Sequence, residues 1–451
     1  MASDPLESPS IAVSDPKQVR RVVLASFVGT TVEWYDYFLF GTAAALVFPH
    51  VFFPESTELQ GTLKSFATYA VGFFARPIGG IIFGHFGDRI GRKAMLVTTL
   101  TMMGAATFLI GLLPGFSQIG MWAPGLLITM RIIQGFGVGG EWGGAVLMAV
   151  EHGGKKRRGF FASWVQAGVP VGMLLATGVF SIFSSMDEAA FLSWGWRVPF
   201  LLGGLLLAIG MFIRMKVMES PIFAELQAKR EKQEDAARAG TADHPTRPGR
   251  LPLLEVLQTQ RREVLLAMGA RFAENASYYI FTVISITFAV QWLGLEKPML
   301  LRGIMIASAV QLVVIPLFGH LSDKIGRRPI YLAGAIATLL FAWPFFLMFE
   351  TRETWVIWLA ITIGLVIHAM MYAPQAAFFS EMFGTGVRYT GASLGYQVAS
   401  PLAGGLAPLI CAWLLGKSDG DAFPLAIYLM IMCLVTLVAV WMAKETHRSD
   451  L

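Results

Sequence analysis

Charge is scarce in this chain: Asp, Glu, Lys and Arg together make up 14% of its 451 residues. Soluble domains carry about a quarter, so an ordinary water-exposed globule is excluded. Cysteine is scarcer still, with 2 in all. Cys411 and Cys433 both lie in apolar runs without paired spacing, which predicts two buried core residues and neither a disulfide nor a metal site. There is no GxxxxGK[ST] loop for ATP, no HExxH for zinc and no GxSxG nucleophile elbow, so a primary pump or an enzyme is not expected, and no cofactor. The run Gly135 to Gly140 formally matches GxGxxG, but no strand precedes it and it is embedded in an apolar stretch. It is read instead as helix-packing glycine, with GxxxG spacings at Gly139/Gly143 and Gly140/Gly144. No basic patch interleaved with aromatics is present, which argues against nucleic acid. The first 16 residues lack a basic-then-apolar cleavable signal, so the first apolar run is expected to act as an uncleaved insertion signal.

What fills the chain is apolar sequence: 55% hydrophobic, with mean hydropathy +0.60. Runs of about 20 residues, enough to cross a bilayer as helix, centre near residues 35, 70, 104, 136, 171, 206, 278, 310, 339, 367, 402 and 433. The Lys and Arg residues concentrate in the tails and in alternate connections, which places both termini in the cytoplasm by the positive-inside rule. The expected fold is an all-α membrane protein of twelve transmembrane helices. Its parts are a cytoplasmic tail at 1–21, a six-helix bundle at 22–217, a linker at 218–262, a second bundle at 263–443 and a tail at 444–451.

The two bundles are expected to be copies. Gly84-His85-Phe86-Gly87-Asp88-Arg89-Ile90-Gly91-Arg92-Lys93, read as a charged loop, returns as Gly319-His320-Leu321-Ser322-Asp323-Lys324-Ile325-Gly326-Arg327-Arg328. Glu151 precedes Arg158 by seven residues, and Glu381 precedes Arg388 by the same interval. Met218-Glu219-Ser220 and Lys444-Glu445-Thr446 close the two halves. These pairs are expected to form an inner latch. Asp88 would reach the start of span 11 near Arg388, where the helix dipole favours an anion. Asp323 would reach span 5 near Arg158, with Arg92, Glu151, Arg327 and Glu381 taking part.

Ionisable residues inside spans are costly and read as functional. Span 1 carries Glu33 and Asp36 at i and i+3. Arg76 sits well inside span 2. Span 4 presents Arg131, Gln134, Val138 and Glu141 as one stripe, and span 5 adds Gln166. Span 7 presents Arg271, Glu274, Asn275 and Tyr278, with Tyr279 beside them, and span 10 presents His368, Tyr372 and Gln375. Arg271 and Glu274 are equally readable as a self-neutralising structural pair, and His368 as a core residue. Equivalent helices of two repeats thus converge on one site near mid-bilayer, the arrangement of an alternating-access transporter. A small carboxylate would be held by Arg76 or Arg271 and oriented by Tyr278, Asn275, Tyr372 and Gln375. A zwitterion could instead meet Glu141 or Glu274.

The two ten-residue motifs resemble the repeated motif of the major facilitator superfamily. Glu33-Trp34-Tyr35-Asp36-Tyr37, Arg76-Pro77-Ile78-Gly79-Gly80, Gly139-Gly140-Glu141-Trp142-Gly143-Gly144 and Arg388-Tyr389-Thr390-Gly391 together resemble its metabolite:proton symporter family, in a shikimate-transporter-like branch. The resemblance implies proton-driven uptake of a small organic acid across a bacterial inner membrane by a multi-pass protein, expected here as a monomer. It also leaves open a proline or betaine-type zwitterion as substrate. From the superfamily's sugar–proton symporters it implies coupling through an acid of span 1, here Asp36, paired with an arginine of span 4, here Arg131. A membrane sensor that binds without transporting is a further alternative, weakened by the short C-terminal tail.

Overall fold

The computed structural model describes residues 16–90, 92–139, 142, 143, 146, 150, 157–216, 252–384 and 388–447, with backbone alone at 16–22, 84–90, 92–94, 96, 213, 214, 216, 252–255 and 389. Among them are twelve long helices. The first six are α1 (Pro16–Leu46), α2 (Glu58–Ile90), α3 (Arg92–Leu112), α4 (Trp122–Gly139), α5 (Arg158–Ser184) and α6 (Arg197–Lys216). The second six are α7 (Arg261–Tyr279), α8 (Lys297–Ile325), α9 (Arg327–Glu350), α10 (Thr354–Met382), α11 (Arg388–Ser400, continuing through a wide turn at Pro401–Gly405 into Leu406–Lys417) and α12 (Phe423–Met442). Eight of these are long and apolar enough to cross a membrane by composition alone. Helices α1 and α7 are not among them, and these carry the buried acids Glu33, Asp36 and Glu274 and the buried Arg271.

Within the first half α2 packs on α4, α3 on α6 and α1 on α5; within the second, α8 packs on α10, α9 on α10 and α7 on α12. The halves meet along α5 against α8 and α10, and along α2 against α11. The glycine run that mimics a dinucleotide fingerprint explains one of these packings. A Cβ on Gly135 would lie 2.1 Å from the Gly72 carbonyl oxygen, and one on Gly139 would lie 2.0 Å from that of Arg76. Backbone therefore touches backbone between α2 and α4, and Arg76 is carried to the centre of the bundle. Gly140 and Gly144, of the second GxxxG spacing, lie outside the described residues.

The repeated motif is not the charged loop that its composition predicts. Helix α2 runs 33 residues to Ile90, about 50 Å at ~1.5 Å per residue, well beyond the ~30 Å hydrocarbon core. Its charged end is a helix projecting past the membrane, and α3 restarts at Arg92. In the second copy a single residue makes the turn: Gly326, at φ 115°, joins α8 to α9 in a conformation that only glycine adopts without strain.

Candidate functional site

Span 1 divides its work between two sides. Phe38 faces the other half, where it stacks on Tyr278 with ring centroids 5.4 Å apart, while Tyr37 packs on Tyr69 and Phe73 of its own half. Asp36 faces inward to its own bundle, beside the Thr107 hydroxyl of α3 and against Gly203 of α6. It is 2% exposed, and neither carboxylate oxygen has a hydrogen-bond partner. The ion pair with Arg131 is therefore not formed in this structure. Arg131 instead donates to the Tyr69 carbonyl at 3.3 Å and to Gln134 Oε1 at 3.2 Å, and its guanidinium lies over the rings of Tyr37, Phe40 and Tyr69. Gln134 Nε2 donates to Thr107 Oγ1 at 2.7 Å. A polar link thus runs from Arg131 through Gln134 to Thr107, whose hydroxyl donates to the Met103 carbonyl and lies beside Asp36 without bonding it. Glu33, also buried, acts electrostatically on both Arg76 and Asp36.

Arg76 is 1% exposed and walled by aromatic faces, its guanidinium carbon 4.2 Å from the Tyr37 centroid and 4.6 Å from that of Phe73. Among the described residues no carboxylate forms an ion pair with it, and its Nε has no hydrogen-bond partner. Arg271 is placed otherwise. It contacts Glu274 Oε2 at 3.2 Å, Gln375 Oε1 at 2.9 Å and Ser400 Oγ at 3.3 Å, and it lies over Tyr396, 3.4 Å from the centroid. Glu274 also meets His368 Nε2 at 3.3 Å and Gln375 Nε2 at 3.0 Å. Of the two arginines left open by the sequence, one is neutralised within its own helix and the other has no ion-pair partner among the described residues.

The halves close over these groups through contacts that sequence periodicity does not reveal. Trp142 stacks on Tyr396 at 3.7 Å, and Phe73 meets Tyr279 edge-on at 5.6 Å. Gln166 Nε2 donates to the Tyr372 carbonyl, and Gln397 Nε2 to that of Gly139, each at 3.3 Å. Gly404 and Gly405, in the wide turn of α11, admit Asn275 and Phe73. Around this centre lies a set of buried polar atoms without partners: the hydroxyls of Tyr37, Tyr69, Tyr278, Tyr279, Tyr372 and Tyr396, Asn275 Nδ2, Arg76 Nε, Arg131 Nη2 and Arg271 Nε. Buried polar groups normally find partners. Donors outnumber acceptors among these atoms, the partnerless acceptors nearby being the Asp36 carboxylate, Gln311 Oε1 and Gln397 Oε1, so the centre suits a ligand that offers several acceptors.

Contacts cross the interface at both of its ends. At the motif end, Asp323 accepts from the Gly159 N–H at 2.8 Å and the Phe160 N–H at 2.9 Å, the first turn of α5, next to Arg158. Asp323 also pairs with Arg327 at 2.7 Å, and Arg327 pairs with Glu381 at 3.2 Å. The final strap of the chain joins in, which sequence reading had treated only as a repeat marker. Thr446 Oγ1 donates to Glu381 at 2.7 Å, while Glu445 accepts from the N–H groups of Arg327 and Arg328, each at 2.9 Å. Burial would raise the Glu445 carboxyl, but the N–H groups of Arg327, His447, Arg328 and Thr446 hold it below the ordinary value. Arg388 donates to the Phe383 carbonyl at 3.2 Å. At the opposite end Gln291 Nε2 donates to Thr62 Oγ1 at 2.9 Å, and Lys297 meets Glu188 at 3.4 Å. Glu141 and Glu151, and the side chains of Asp88 and Arg92, lie outside the described residues.

Comparison with known proteins fits this architecture. Residues 22–451 match the model of the family described as "Sugar (and other) transporter". The chain is 42% identical over 434 residues to the shikimate transporter of Escherichia coli (strain K12), covering 96% of each. It is 33% identical over 451 residues to the proline/betaine transporter of the same strain, covering 99% of this chain and 88% of that one. In fold it matches the major facilitator superfamily proton:xylose symporter XylE at TM-score 0.73 and 18% identity, covering 95% of this chain and 96% of that one. The chain belongs to the Sugar (and other) transporter family, and its fold is the one seen in that major facilitator superfamily symporter. It is a multi-pass inner-membrane transporter of a small molecule, not an enzyme.

Proposed function

We propose that this chain is a proton-coupled symporter that takes up a small organic acid, shikimate or a related carboxylate, by alternating access. The observation that carries the reading is Arg76: a buried, aromatic-walled guanidinium with no carboxylate paired to it among the described residues, amid partnerless donors. A carboxylate supplies the missing charge and accepts a forked pair of hydrogen bonds, and ring hydroxyls of such an acid would meet the surrounding tyrosines. Proton coupling is assigned to Asp36, which takes up a proton while it lacks a partner and releases it when the Gln134–Thr107 link delivers Arg131 to it. The reading places both termini and the Asp323 latch in the cytoplasm. It has the bundles at 22–217 and 263–443 rock as units joined by the linker at 218–262, and needs neither cofactor nor second subunit.

A zwitterionic substrate is the second reading, favoured by the 33% identity to the proline/betaine transporter. Against it, the face of Tyr37 that would receive a quaternary amine is covered by Arg76, and Glu274 is consumed by Arg271 and His368. Arg76→Lys keeps the charge and loses the fork. Losing charge-assisted bonds of about 1.5–3 kcal/mol should raise KM for shikimate uptake into proteoliposomes at least ~10-fold. An unchanged KM, or betaine outcompeting shikimate in the wild type, would overturn the assignment.

A further inference from the structure

We propose that His368 is a second proton-binding site, in the C-terminal half, and that its protonation supplies the positive charge with which that half receives an anionic substrate. The inference rests on the reading above and extends it to the number of protons moved. His368 is 1% exposed on α10. Its Nδ1 lies 2.9 Å from Gln311 Nε2 of α8, and Gln311 Nε2 also donates to the Leu365 carbonyl at 3.3 Å. An amide nitrogen only donates, so Nδ1 is the acceptor. The imidazole proton is then on Nε2, directed at Glu274 Oε1 at 3.3 Å. In this arrangement histidine is neutral.

The charge count follows. Arg271 and Glu274 cancel, His368 adds nothing, and the cluster offers no net charge to an anion. A proton on Nδ1 changes the cluster to +1 and requires a new acceptor at that position. Gln311 provides one: its Oε1 is buried without a partner, and a half-turn of the amide exchanges Nε2 for Oε1 in front of Nδ1. One side chain can thus face either protonation state, provided that its amide also draws away from the Leu365 carbonyl, which would otherwise meet Oε1 acceptor to acceptor. The other ionisable groups facing the cluster are Arg271, Glu274 and Tyr278 from α7, Tyr331 from α9, Tyr372 from α10 and Tyr396 from α11. From α8 the polar contributor is Gln311, and from α5 Gln166 at the Tyr372 carbonyl. The ring of His368 lies 4.8 Å from that of Tyr278 and 5.3 Å from that of Tyr372. Both hydroxyls are without partners, and Tyr278 stacks on Phe38 of the other half. The new charge therefore sits one ring behind the surface that the substrate meets. Asp36 and His368 then hold one proton each, one in each repeat.

The test is the steady-state accumulation of labelled shikimate in proteoliposomes, with the membrane potential clamped at zero and an imposed difference of one pH unit. Each coupled proton contributes about tenfold to the accumulation ratio. His368→Gln is therefore expected to accumulate about tenfold less than the wild type, and an equal ratio would overturn the proposal. A wild type that accumulates no acid at all would overturn the underlying symport reading with it, whereas a wild type that accumulates beside an unaffected variant sinks only the second proton. Histidine ¹⁵N resonances of the reconstituted wild type, with that of His368 identified by its loss in His368→Gln, provide a readout independent of transport. The expected result is a ring protonated on Nε2 alone at alkaline pH that gains a second proton on acidification, and more readily with shikimate present. A ring that stays neutral throughout, with and without shikimate, would contradict the proposal.

Discussion

Arg76 and Arg271 are both buried in the membrane interior, and the difference between them lies in their neighbours. Removing one partner of a buried ion pair leaves the other charge uncompensated, at a cost of about 3–5 kcal/mol. Arg271→Met should therefore strand Glu274 and lower the melting temperature in detergent, whereas Arg76→Met removes an unpaired charge and should leave the fold equally or more stable while abolishing shikimate binding. Equal destabilisation by both substitutions would show that Arg76 is structural. Sequence alone named both residues and could not separate them. The partner of Arg271 is visible at i+3, but the lack of a partner for Arg76 is a property of every helix around it. The same limit hid the side on which Asp36 lies. Helical spacing put it on a face with Glu33, and only the packing of α3 and α6 shows that this residue looks into its own bundle.

At the level of elements, the inner latch depends on how helices end and touch. Helix α9 begins after Gly326, which has no side chain to cap it, so Glu445 caps it from the far end of the chain. A lost cap costs about 0.5–2 kcal/mol, and Glu445→Ala should lower stability by that amount at neutral pH. Because the folded carboxyl is held low, its contribution is complete above the unfolded value of about 4.3 and is lost as pH falls through the lower folded value. Thermal denaturation should show the gap between variant and wild type closing on acidification; a gap that widens would contradict the capping role. At the interface, a Cβ on Gly159 would fall 2.3 Å from Arg327 Nη1 and 2.7 Å from the Gly319 carbonyl oxygen. Gly159→Ala should therefore wedge the latch open. Spin labels at the exposed positions Arg157 and Lys324 would report a longer distance population, and an unchanged distribution would refute the wedge. The repeated motif was plain in the sequence as a repeat, but its shape was misread. Charge and glycine suggest a loop, and a helix that overshoots the bilayer keeps both.

For the whole molecule, the duplication and the twelve spans were legible because they rest on periodicity and motif spacing, which are local, and the family was legible through the resemblance of its motifs. Pairings across the halves, such as Trp142 on Tyr396 and Gln397 on the Gly139 carbonyl, were not, since nothing in either helix alone specifies its partner. Those pairings join the two halves through the centre of the described interface. An Arg76 without an ion-pair partner among the described residues, together with an Asp36 without a hydrogen bond, is the basis of the claim that proton movement drives uptake of an acid. The direct measurement is shikimate accumulation in proteoliposomes of the wild type and of Asp36→Asn, with and without an inwardly directed proton gradient. The account predicts accumulation by the wild type only when the gradient is present, collapsing on addition of a protonophore, and equilibration without accumulation by Asp36→Asn. Accumulation by the variant against the gradient of substrate, or wild-type accumulation that ignores the proton gradient, would contradict it.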